Sequence, residues 1–146
     1  MKSLSESGKT WVSLVVSPSG KYLAAGSAEG SVQIWSTPDW NTQETTIKCP
    51  RWSGALFFGL DDSVLHVACN VDPADMFADG TMQTWDWRQG VMVSAFRFEP
   101  DAALPFSSFD GIARTPDGTH AIAGVLRDFR VWDLASHSLV RGTRCV

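Results

Sequence analysis

Short apolar runs alternate with compact polar turns along this chain, and no window holds a helical period long enough to propose a helix. The first run is Trp11-Val12-Ser13-Leu14-Val15-Val16, closed by Ser17-Pro18-Ser19-Gly20. Tyr22-Leu23-Ala24-Ala25-Gly26-Ser27 follows, then the turn Ala28-Glu29-Gly30 and the run Ser31-Val32-Gln33-Ile34-Trp35-Ser36. The same order returns near the end: residues 111–114, Thr115-Pro116-Asp117-Gly118, residues 120–124, and a run from Phe129 that reaches Trp132-Asp133. A middle copy runs from Gly54 to Phe58, turns at Gly59-Leu60-Asp61-Asp62-Ser63, continues through Val64–Cys69 and closes on Thr81–Asp86. Its second and third runs are parted by a loop insertion, residues 71–80. Trp35, Trp85 and Trp132 thus recur at intervals of 50 and 47 residues. Each Trp-ended run is followed by one more β-rich stretch: 44–48, 91–98 and 138–141. The pattern predicts an all-β repeat of three units, each made of four short antiparallel strands.

Three sets of residues carry a resemblance to a known family. Ser17-Pro18-Ser19-Gly20 and Thr115-Pro116-Asp117-Gly118 resemble the S-P-D-G turn of WD40-repeat β-propellers, and Gly26–Trp35 is similar to that family's second turn and third strand. Trp85-Asp86 and Trp132-Asp133 match the dipeptide that names the family, where the first copy has Trp35-Ser36. The resemblance implies a partial β-propeller of three four-stranded antiparallel blades, at about 9–50, 51–104 and 105–146, after a disordered N-terminal segment, 1–8. The family's Gly-His pair ahead of the first strand is missing, and the acidic position before the third strand holds Glu29, Asp79 and Asp128. The family's hydrogen-bond network is therefore expected to be incomplete, leaving apolar packing to hold each blade. Characterised rings have about 4–8 blades, so three blades leave two apolar end faces uncovered. The expected readings are a fragment of a longer chain, a protomer whose two copies supply six blades, or an open arc completed by another protein.

Composition narrows the class. The chain has 146 residues, 44% of them hydrophobic and 19% charged, with 7 Trp and 8 Phe, which excludes a disordered, collagenous or coiled-coil protein. A net charge of −4 argues against nucleic-acid or anionic-membrane binding. No stretch approaches the ~20 apolar residues that span a bilayer, and residues 1–8 lack the apolar centre of a secretory signal. Cys49, Cys69 and Cys145 are far apart with no C-x-x-C spacing, so they are expected to be inert thiols in a reduced setting, cytoplasmic or alternatively nuclear.

A search for reactive constellations yields none. Gly8-Lys9-Thr10 ends like a phosphate-binding loop, but the motif's first glycine position is Ser3 and a strand follows. His66, His120 and His137 lack metal-ligand spacing, and for His66 and His120, within or at the start of strands, hydrogen-bonded structural roles are expected. Asp72, Asp75 and Asp79 do not follow a calcium-loop pattern. No metal or cofactor is expected. A propeller enzyme would need polar residues from the first strands facing a central channel, whereas Val12, Leu14, Val16, Ala55, Phe57, Ile112 and Ala113 are apolar.

The resemblance instead implies binding of peptides or partner domains without catalysis, on the propeller face that carries the second-to-third-strand turns. Its candidate residues are Trp11, Arg51, Trp52, Asp75, Met76, Phe77 and Arg127, with Lys9 and Glu29 beside them. Met76 and Phe77, set among acidic residues, are equally suited to folding back onto their own blade. The alternatives are a propeller enzyme with a channel site and an inactive truncated fragment of a larger WD-repeat protein.

Overall fold

The computed structural model describes residues 8–49, 51–70, 80–97, 109–125 and 128–144. Among these residues, twelve strands form three separate antiparallel sheets, each in sequence order. The first holds β1 (Trp11–Val16), β2 (Tyr22–Ser27), β3 (Ser31–Ser36) and β4 (Thr42–Lys48). The second holds β5 (Arg51–Phe58), β6 (Val64–Asn70), β7 (Gly80–Asp86) and β8 (Val91–Arg97). The third holds β9 (Phe109–Arg114), β10 (His120–Val125), β11 (Asp128–Asp133) and β12 (Leu139–Arg144). Meander order follows from the short polar turns, which are too brief for crossover connections. The first strands pack side by side, β1 on β5 and β5 on β9, so the sheets stack as consecutive wedges. This is the predicted architecture of three four-stranded blades.

One turn is built three times. Gly20 N–H donates to the Ser17 carbonyl at 2.8 Å, Asp62 to Gly59 at 3.3 Å and Gly118 to Thr115 at 2.9 Å. The last residue of each turn is left-handed, with φ of 73°, 61° and 74°. Glycine takes this conformation without a Cβ clash, and aspartate is among the few other residues that tolerate it.

The registers put equivalent residues on equivalent faces. Leu14, Ala25 and Gln33 lie abreast in blade 1, Leu56, Val67 and Gln83 in blade 2, and Ile112, Ala123 and Arg130 in blade 3. The next row reads Val16–Leu23–Trp35, Phe58–Leu65–Trp85 and Arg114–Ala121–Trp132. We call this the leading face, because in blades 2 and 3 it packs against the preceding blade. The opposite, trailing face of blade 1 presents Val15, Ala24, Val32 and Ile34 to Leu56, Phe58, Leu65 and Val67. That of blade 2 presents Ala55, Phe57, Ala68 and Met82 to Ile112, Ala121, Ala123 and Trp132.

Two expectations are corrected here. The first-strand residues do not point into a channel: Ala55, Phe57 and Ile112 pack between blades 2 and 3, while Leu14 and Val16 stand exposed on the open leading face. The cysteines are not all free thiols, since Cys49 and Cys69 form a disulfide. Twenty residues apart in sequence, they meet because the exit of blade 1 passes beside β6. Both are buried. Cys145 lies outside the described residues.

Candidate partner-binding rim

The two edges of the arc differ in construction. The turns after the first and third strands of each blade form one rim, and the β2–β3 turn, with the starts of β1, β5 and β9, lies on the other. On this second rim the chain enters at Gly8, Lys9 and Thr10. The Thr10 carbonyl accepts the Ala28 N–H at 2.8 Å, and the Thr10 N–H donates to the Glu29 carboxylate at 3.2–3.3 Å. That backbone donor holds the exposed Glu29 carboxyl below its ordinary value. Glu29 thereby ties the second turn to the entry of the first strand, by a backbone contact that needs no histidine. The Gly30 carbonyl accepts the Cys49 N–H at 2.7 Å, fixing the exit of blade 1 to the same turn.

Trp11 is half-buried on this rim. Its ring meets Trp35 edge-on at 5.5 Å between centroids, and the Lys9 ammonium sits 5.6 Å from its centroid. Its indole N–H is buried with no acceptor among the described residues. Trp11 thus sets an apolar ring and a cation side by side on this rim. Arg51 pairs with Asn70 and Ser53 with Cys69, so Trp52 is an extra residue in a β-bulge. Gly54 of β5 and, at its equivalent places, Val12 of β1 and Asp110 of β9 are extra residues too. Bulges re-aim side chains at the ends of strands, and these all lie at the same rim. The Arg51 and Trp52 side chains, and all of Asp75, Met76, Phe77 and Arg127, lie outside the described residues. Cys49 of the disulfide is two residues before Arg51, and Cys69 is one residue from the end of β6.

The opposite rim carries a locked seam that the sequence did not reveal. Trp87, only 2% exposed, lies edge-on to Tyr22 at 4.9 Å and to Phe58 at 6.2 Å. Its indole N–H donates to the Asp62 carbonyl at 2.7 Å, and an Arg88 Nη donates to the same oxygen at 3.1 Å. The Arg88 guanidinium covers the Trp87 ring at 4.4 Å. Asp62 in turn accepts from the Ser19 hydroxyl and backbone N–H, crossing from blade 2 to blade 1. Thr45 closes the cluster by donating to the Trp87 carbonyl. Only a Trp directly after the Trp85-Asp86 pair hinted at it.

The histidines take structural positions. His66 stacks on Phe57 at 4.6 Å and its Nδ1 lies 2.9 Å from the Thr84 hydroxyl. Burial, helped by Arg114 and His137, lowers its pKa to about 4, so it is neutral in the folded protein near pH 7. His120 bonds to Thr119 and lies 4.0 Å from Asp133. Among the described residues no three His, Cys, Asp or Glu side chains gather as a metal site, and no helix is long and apolar enough to cross a membrane.

Three stacked meanders with Trp-ended third strands, tied rim to rim, have the fold of a WD40-type β-propeller segment. No protein-family model matches the chain. Its structure is similar to that of U3-55K, with a TM-score of 0.72 at 15% identity, covering 97% of this chain and 41% of that one. It is similar to the WD40 repeats of RRP9 with the same values. The chain thus spans about two fifths of the length of these two structures.

Proposed function

We propose that this chain is a protein-interaction module that binds peptides or partner domains on the rim carrying Trp11, Arg51, Trp52, Asp75, Met76, Phe77 and Arg127, and that it does no catalysis. The supporting observation is the WD40-type stack of blades, a rigid support for turns, shared with U3-55K and the RRP9 WD40 repeats. Fold alone is an associational ground for function. The physical ground is an aromatic and a cation stacked at the entry of the rim, acidic Glu29 beside them, Arg51 and Trp52 at the start of blade 2, Met76 and Phe77 between its second and third strands, and Arg127 between those of blade 3. A net charge of −4 suits protein partners better than nucleic acid or anionic lipid. Affinity capture with quantitative mass spectrometry tests the assignment. Proteins retained by the wild-type chain are expected to be lost with Trp52→Ala or Phe77→Ala and kept with Trp40→Ala on the opposite rim. Equal retention by all three variants, or hydrolytic turnover abolished by a first-strand substitution, would overturn it.

A further inference from the structure

The leading face of blade 1 and the trailing face of blade 3 are the two halves of a seam that has no partner among the described residues. Leu14 and Val16 are 67% and 56% exposed, whereas Leu56 and Phe58, which hold the same register positions in blade 2, are 5% and 2% exposed. Blade 1 covers Leu56 and Phe58, whereas no described residue covers Leu14 and Val16 in the same way. At the far end, Ile122 and Phe129 lie on the trailing face of blade 3 and are 37% and 38% exposed. The turns show the same asymmetry. At Gly118 a Cβ would lie 2.5 Å from Leu60 of the blade before it, while at the equivalent Gly20 it would meet nothing within 4 Å.

We infer that a second copy of this chain covers these faces, docking its Ile122/Phe129 face onto the Leu14/Val16 face head to tail. The occupant follows from the seams already present. Each joins a leading face to a trailing face in fixed register, and this chain leaves one of each uncovered, so a second copy supplies both at once. Two leading faces, or two trailing faces, do not reproduce that pairing. Such contacts are heterologous: two copies satisfy all four faces if the arc closes, and successive copies add in a row if it does not. This inference is independent of the rim assignment, because neither Leu14 nor Ile122 belongs to the rim.

Light scattering and sedimentation of the purified chain at micromolar concentrations, with Leu14→Asp and Ile122→Asp, test it; Phe129→Lys replaces Ile122→Asp if the latter loses its β-sheet circular dichroism. Wild type is expected to form dimers or longer head-to-tail oligomers, and each variant alone to be monomeric. An equimolar mixture of the two variants is expected to recover a dimer, since each retains the face its partner needs. A monomeric wild type, association that survives both substitutions, or a mixture that stays monomeric would overturn the inference.

Discussion

Asp62 shows how one side chain can settle both a turn and a seam. It adopts φ 61° where the equivalent turns use glycine, is 4% exposed, and reaches Ser19 across the blade boundary. At the next seam the turn residue is Gly118, and Leu60 fills the space beside it. Gly20→Ala is expected to cost about 1–2 kcal/mol, the left-handed strain alone. Gly118→Ala adds displacement of Leu60 and is expected to cost more, which urea unfolding of both variants will rank. His66 carries the pH dependence at this scale. Its folded pKa of about 4 lies below the ordinary 6.5, so the unfolded chain binds the extra proton between those values. Stability is expected to be full above pH 6.5 and to fall as pH drops toward 4, by at most roughly 3 kcal/mol. Urea midpoints measured from pH 7 to pH 4 should slope for wild type and flatten for His66→Leu.

At the scale of strands and turns, the strongest constraint between blades 1 and 2 is covalent. Cys49–Cys69 closes a 20-residue separation and joins the exit of blade 1 to β6. Loops of that order contribute about 3 kcal/mol through the unfolded chain. Reduction, or Cys49→Ala with Cys69→Ala, is therefore expected to lower the denaturation midpoint by a matching amount, while Cys145→Ala leaves the oxidised protein as stable as wild type. Strand identity itself was legible. The β1, β2, β3 and β7 segments follow directly from apolar runs ended by Ser-Pro, Gly or Trp-Asp. The outer strands were harder to bound: β12 extends to Arg144 and β4 begins at Thr42. Their polar residues pair along an edge, so burial imposes little alternation on them.

Over the whole molecule, burial depends on position in the stack and not on residue type. Phe58→Ala is expected to cost about 3–5 kcal/mol, because the site lies between two blades and a cavity remains. Val16→Ala, at the same register position in the open face, is expected to change monomer stability by no more than about 0.5 kcal/mol. Chemical denaturation of the two variants at low protein concentration makes the comparison. The rim followed the same division. Turn order put Lys9, Trp11 and Glu29 at one end of the strands, and there Glu29 meets the Thr10 N–H. The Trp87 seam was not readable, since nothing local distinguishes a tryptophan that closes a seam from one in a solvated turn. Cys49 and Cys69 were equally hidden, because sequence spacing says nothing of which strands become neighbours.

The number of strands, their antiparallel order, the turn chemistry and the threefold repeat were all settled by the sequence, for each depends on contacts within a few residues or between adjacent runs. Which face of each strand is covered, which cysteines bond and why Asp62 occupies a glycine position were decided only by the stacking of blades. Those outcomes depend on residues far apart in the chain, and their energies come from burial that exists only once the sheets meet.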